Sequence, residues 1–399
     1  MSNELVHQAF EEGEGILNLV PNFVPRRFGE PGFRLRLHPD DYYPFGLKRG
    51  AIKERWFSSV VQTINGDDAP EDEGLSYVAL RSDSNSRFLF KDAVKELGAD
   101  LIGDQLIKEH GTWPMFAKFF DYKTPLFHHI HLMQKHAELI GKMAKPEAYY
   151  FPRQLNNHGG EFPVTYFGFD PSVTLDEVKE RLLQYEATDN RITELSRAFR
   201  IQLGTGWYVP AGIIHAPGSY LTYEPQLNSD VNSVFENVVS ADHYSYDFLV
   251  ENVPEDKQRD VDFILSLLDW EKNTDPEFKK HYFRPPVESS SEDGIYEEKW
   301  VAYGNEYIAA KELTVLPGQI ATIKDSSAYG CIIIQGHGKF GAYDAEAAQM
   351  IRFGQMTSDE FFVSEEAAKK GVVIANHSLR EPLVILKHFA SNNKDVPKS

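Results

Sequence analysis

Phe127-His128-His129-Ile130-His131, followed by Lys145-Pro146-Glu147, is the stretch around which this chain reads. His129 and His131 are two positions apart. In a strand such residues share a face, so both imidazoles can point at one spot. Glu147 comes sixteen residues after His131, enough for a turn and the start of a returning strand. A further histidine, His215, ends the apolar run Tyr208-Val209-Pro210-Ala211-Gly212-Ile213-Ile214-His215 and is followed by Ala216-Pro217-Gly218. A His-x-His pair is common in ordinary cores and surfaces, and this chain has 14 histidines. The addition of Glu147 and His215, each beside a strand or turn signal, makes the pair a candidate metal site. Three neutral imidazoles and one carboxylate suit a divalent ion such as zinc, with iron, manganese or nickel as alternatives.

Composition narrows the function classes. The length of 399 residues suggests more than one domain, and 42% hydrophobic residues are enough for sizeable cores. A net charge of −19 argues against nucleic acid as a partner, because phosphates would be repelled. It leaves a small anion possible, since a local site can be basic. The single cysteine, Cys331, sits in the apolar run Gly330-Cys331-Ile332-Ile333-Ile334. It excludes an internal disulfide and a thiolate cluster, and reads as a small buried hydrophobe. The start, Met1-Ser2-Asn3-Glu4-Leu5, lacks the pattern of a signal peptide, and no apolar run is long enough to span a membrane. A cytoplasmic protein without membrane contact is expected.

Along the chain, Phe33–Leu37 and 55–63 read as strands, and 65–74 as a solvated loop. Residues 91–110 have helical spacing broken by Gly98. Trp113–Phe120 is aromatic and strand-like, with Lys118 inside it: either a stem that snorkels to the edge or a cation aimed into a site. Thr174-Leu175-Asp176-Glu177 is a capping box opening a helix to about Gln184. Helical patterns are also expected over 192–199 and 255–270. Residues 285–294 are polar and proline-led, as in a linker. After them, strands are expected at 299–303, 306–313, 320–324, 330–335, 349–352, 360–363, 371–375 and 383–388. The expected division is 1–285, with the candidate metal site, and 286–399, a second β unit without ligands.

These motifs resemble a family. The runs Leu101-Ile102-Gly103, Gly111 to Phe120, Thr124-Pro125-Leu126, His129-Ile130-His131, Lys145-Pro146-Glu147 and Tyr208 to His215 are similar to those of type I mannose-6-phosphate isomerases, over residues 50–235. The resemblance implies a mainly β fold of two cupin barrels (double-stranded β-helices) in tandem, with helical insertions on the first. It implies one divalent metal, usually zinc, held by His129, His131, Glu147 and His215. The first of these is commonly a glutamine in the family. Lys118 and Lys145 match lysines that line the site. Glu224, in Thr222-Tyr223-Glu224-Pro225-Gln226, falls where the family has a glutamate after the last histidine. Two departures concern phosphate. Phe127 stands where the family has a small hydroxylated residue, and Val231-Asn232-Ser233-Val234-Phe235-Glu236 holds no counterpart of the family's arginine.

The function these residues imply is aldose–ketose isomerisation through an enediol, on mannose 6-phosphate, fructose 6-phosphate or a related sugar. Glu224 is the candidate for proton transfer, its carboxyl raised by burial near Tyr220 and Tyr223. Lys118 and Lys145 are candidates for holding sugar hydroxyls. The rival readings are an oxygen-using iron or manganese protein on the same ligands and a sugar-binding protein without turnover.

Overall fold

The computed structural model describes residues 2–157 and 162–398. The chain is mainly β, in several antiparallel sheets. Two of them position the site. A five-stranded sheet runs, in spatial order, Ser196–Arg200, Val164–Phe169, His215–Ala216, His129–Ile130 and Ser233–Val234. A seven-stranded sheet runs Phe283–Arg284, Gly206–Val209, Glu147–Tyr150, Thr222–Leu227, Met115–Phe120, Ala51–Phe57 and Asn22–Arg26. The expected histidines come from the first and the expected carboxylates and lysines from the second. Among the described residues the two sheets face each other without closing into a barrel.

Alternation explains what each face does. In Met115–Phe120, Met115, Ala117 and Phe119 join the large core toward the C-terminal half, while Lys118 and Phe120 point between the two sheets. On the histidine sheet, Ile130 and Ile214 turn outward onto Val178, Leu182, Ile264 and Leu268 of the helical layer. The helix Leu175–Leu183 opens with the expected capping box, Thr174 and Glu177 each bonding the other's backbone N–H. From the wall of the site outward, Phe120, Tyr149, Phe167, Trp207 and Phe278 fill the space between the sheets. Each such aromatic contributes roughly 1.5–3 kcal/mol of burial.

The C-terminal strands form a nine-stranded and a four-stranded sheet. The nine-stranded sheet also takes Ile16–Leu19, Tyr77–Ala79 and Arg87–Leu89 from the start of the chain, with Ile16–Leu19 pairing Glu360–Val363. Its strands 329–335 and 383–390 contribute Ile332, Val384 and Leu386 to the core that also holds Phe119 and Tyr223. Among the described residues no helix is long and apolar enough to cross a membrane.

Several local expectations change. Phe33–Leu37 is not a strand: Phe33 and Arg36 take positive φ (61° and 59°), and Arg34 turns inward to Asp121. The second early strand begins at Ala51 and stops at Phe57, where Ser58 takes a positive φ of 54°. The helical pattern of 91–110 is cut into three helices, Phe90–Leu97, Ala99–Ile102 and Asp104–His110, by Gly98 and Gly103. Residues 192–199 form one 3₁₀ turn, Ile192–Leu195, and then the strand Ser196–Arg200, because pairing with Val164–Phe169 outweighs helical spacing. The polar stretch after Pro286 is an edge strand, Val287–Glu292. Residues 349–352 make only a single bridge, Ile351 to Leu37.

Candidate metal centre and catalytic site

His129 and His215 lie directly opposite each other in neighbouring strands, with ring centroids 4.1 Å apart. His131 follows at the end of its strand, its ring 5.0 Å from each of the other two. Ligand atoms of the three imidazoles all lie within 4.8 Å of one another, and all three residues are buried. Gly212 helps to set this register. Its N–H donates to the His131 carbonyl at 2.8 Å, its φ is 84°, and a Cβ there would meet Met133 and Asp269.

The tautomer of each ring follows from its partner. His129 Nδ1 is 3.0 Å from the Phe127 carbonyl, His131 Nδ1 2.8 Å from that of Val231, and His215 Nδ1 2.9 Å from that of Ile213. A carbonyl only accepts, so each Nδ1 carries the hydrogen, and each neutral ring turns an Nε2 lone pair inward. Burial, above all, pushes the His131 imidazole down to about 4, and burial with two neighbouring histidines holds His129 well below its ordinary value. Both rings are therefore neutral near pH 7.

Glu147 completes the set from the opposite sheet. Its Oε2 is 2.9 Å from His131 Nε2 and its Oε1 3.1 Å from His215 Nε2. Lys145 Nζ reaches Glu147 Oε2 at 3.0 Å and His131 Nε2 at 3.1 Å, whereas Glu147 Oε1 and His215 Nε2 face each other, buried and without a hydrogen-bond partner. Acceptors facing acceptors at such distances need a positive charge between them. Three imidazole nitrogens and one carboxylate fit a divalent cation, and His129, His131, Glu147 and His215 are the residues that would hold it.

From Glu147, charges of alternating sign run along the seven-stranded sheet. Lys145 Nζ is 3.0 Å from Glu147 and 3.4 Å from Glu224 Oε1; Lys118 Nζ is 3.2 Å from the same oxygen. Glu224 stands opposite Lys118 in the strand register. Lys118 is also 4.0 Å from Glu54, which pairs with Arg26, which pairs with Asp230. Burial first, and the Glu147 carboxylate second, push the Glu224 carboxyl up to about 8, against the pull of both lysines. Burial opposes ionisation of Glu54 too, but Arg26 and Lys118 hold its carboxyl well below the usual range. His129, His131, Glu147, Lys118, Lys145 and Glu224 thus line one cleft of about 480 Å³, mouth included, with His215 set behind it against Glu147.

Neither a protein-family model nor a curated protein matches this sequence. Solved structures do match its shape. The mannose 6-phosphate isomerase of Bacillus subtilis superposes with a TM-score of 0.61 at 14% identity, over 94% of this chain and 99% of its own. An H99A variant of the Salmonella typhimurium phosphomannose isomerase superposes with a TM-score of 0.62 at 11% identity, over 94% and 99%. The fold is that of the phosphomannose isomerases. At these identities the likeness establishes a shared fold, and the chemistry of this phosphomannose-isomerase-like chain rests on its own residues.

Three cleft residues were not visible in the sequence: Arg26, Glu54 and Asp230. The stretch after Asp230 lacks an arginine, but Arg26 reaches Asp230 from 204 positions earlier. The one available signal was an arginine closing the short apolar run Phe23-Val24-Pro25-Arg26. Phe127 lines the cleft on the same side as His129, whereas His128 turns away to Glu236.

Proposed function

We propose that this protein is a metal-dependent aldose–ketose isomerase, moving a proton between C1 and C2 of an open-chain sugar. The observation that carries the reading is the pairing of a locked Nε2 ligand set with a second buried carboxyl, Glu224, beside it. The fold shared with mannose-phosphate isomerases supports it, and so does a reading of the two facing sheets as the first, and of the C-terminal sheets as the second, of two double-stranded β-helix units in tandem. A bound divalent ion, zinc foremost, would supply a Lewis acid for the developing negative charge on the sugar oxygens.

The chain's own residues have separable tasks. Glu224 takes the proton from the carbon next to the carbonyl and returns it to the neighbouring carbon. Its raised carboxyl suits a group that must be base and acid in turn. Lys118, whose nearest acceptor is Glu224, offers its remaining N–H groups to a sugar hydroxyl. Lys145 lies between the two glutamates and steadies both charges. The aromatic walls, among them Phe120, Phe127 and Tyr149, exclude water from the reacting carbons.

The deciding experiment incubates metal-quantified protein with aldoses and ketoses in deuterium oxide and reads exchange at C1 and C2. Exchange is expected. Glu224→Gln should lower it at least ~100-fold while metal content stays the same. Oxygen uptake by the iron-loaded protein, with no exchange on any sugar, would replace this reading with an oxygen-using one.

A further inference from the structure

We infer that the sugar this site takes is uncharged at its non-reacting end, and that the cleft is built to refuse a phosphate there. The inference rests on the isomerase reading above and deepens it. A phosphate dianion needs hydrogen-bond donors that are not already committed, best a guanidinium fork. Among the described residues, Arg26 is the only arginine lining the cleft. A guanidinium has five N–H groups, and the protein occupies all of those on Arg26. Nε donates to Glu54 Oε1 at 3.0 Å. Nη2 donates to Glu54 Oε2 at 3.1 Å and Asp230 Oδ1 at 3.0 Å. Nη1 donates to Asp230 Oδ2 at 3.3 Å and the Ile64 carbonyl at 3.4 Å.

The clamps are themselves held in place. Glu54 also accepts from Trp56 Nε1 at 2.8 Å and Tyr122 OH at 3.1 Å, and Asp230 from the Ile64 N–H at 2.9 Å. Two carboxylates face one guanidinium, so this end of the cleft repels a further anion. The two lysines lie at the reacting end, against Glu147 and Glu224. Among the described residues, a ligand extending the other way meets no cation either. There the wall is Phe28, Tyr122, Leu126 and Phe127. Phe127 is packed edge-on against Phe28 at 5.1 Å and Tyr244 at 4.9 Å, so it does not swing aside freely. An apolar wall beside saturated ion pairs suits the C–H faces and hydroxyls of a free sugar, and burying a dianion there without a counter-charge is strongly unfavourable.

The test compares free aldohexoses and ketohexoses with their 6-phosphates on the zinc-loaded full chain, by deuterium exchange and by calorimetric binding, with inorganic phosphate as a further probe. Expected is a kcat/KM for the free sugar at least about tenfold above that of its 6-phosphate, and no competition by inorganic phosphate. In Phe127→Ser/Asp230→Asn, which opens the wall and releases donors on Arg26, the ratio of phosphosugar to free-sugar kcat/KM should rise about tenfold or more. Equal or better turnover of the 6-phosphate by the unaltered protein overturns the inference, and so does a ratio that does not move in the double variant. Should no sugar exchange at all, the isomerase reading fails by itself, and calorimetry decides this one. Tighter binding of the free sugar sustains it; tighter binding of the 6-phosphate, or of neither, ends it.

Discussion

His131 shows how much a single side chain carries here. Its Nδ1–H is committed to the Val231 carbonyl, so its Nε2 can only accept, and both Lys145 and Glu147 converge on that atom. His215 is held the same way by Ile213. Because ligand affinity adds to the stability of the folded state, zinc should raise the melting temperature of the protein, and EDTA should reverse the rise. His215→Ala should abolish that zinc-dependent rise and reduce bound metal well below one per chain, as read by elemental analysis. An unchanged rise in His215→Ala would exclude it as a ligand. Glu224→Gln separates from this variant, since it should keep the metal and lose the exchange. The candidate ligands His129, His131, Glu147 and His215 were legible in the sequence because strand period and turn punctuation are local signals. Glu54 was not, because nothing in Lys53-Glu54-Arg55-Trp56 says which of three consecutive charged residues faces a cleft.

The elements matter through their ends and turns. The strand carrying His215 is only two residues long, so its place depends on the Pro210–Ile214 turn more than on its own ladder. Gly212→Ala would force a side chain into left-handed backbone and against Met133 and Asp269. A loss of about 1–2 kcal/mol is expected, together with weaker zinc binding. Thr174→Ala, which removes the capping box of Leu175–Leu183 far from the cleft, should cost about 1 kcal/mol and leave zinc affinity alone. Chemical denaturation and a zinc titration on both variants check the contrast. Equal zinc affinity in the two would show that the turn does not position His215. The capping box was readable because it is a four-residue pattern. Residues 192–199 were misread because a partner strand thirty residues earlier decides their conformation.

At the scale of the whole molecule, two buried ionic groups tie the halves together or fill the second. Arg55 of the seven-stranded sheet donates to Asp359 and Glu360 of the nine-stranded one. Tyr223, next to Glu224, bonds His388 Nδ1 at 2.8 Å. In the C-terminal half, Lys311 and Lys387 face Glu298 and Asp325, two charges of each sign, all buried. This quartet is neutral as a set, the arrangement in which buried charge is tolerated. Glu360 differs: burial, against the pull of Arg55, pushes its carboxyl up to about 8. Between its ordinary value near 4.5 and about 8, the folded state holds a proton that the unfolded state has released. Stability from this group is therefore full below about 4.5 and declines as pH rises toward 8. Glu360→Gln should flatten the fall in melting temperature over that window; a fall as steep as in the unaltered protein would remove Glu360 as its cause.

The sequence by itself determined that the chain is mainly β, and it singled out His129, His131, Glu147 and His215 as candidate ligands with Lys118, Lys145 and Glu224 as candidates beside them. The ligand candidates rest on side-chain alternation and turn residues, which are local signals, and Lys145 and Glu224 on the family resemblance. Only the tertiary structure decided that Arg26 reaches Asp230 across the chain, that its donors are all taken, and that strands from the N-terminus complete the C-terminal sheet. The physical reason is that pairing between distant strands, and the low dielectric between facing sheets that makes each buried charge seek a partner, depend on positions no local pattern encodes.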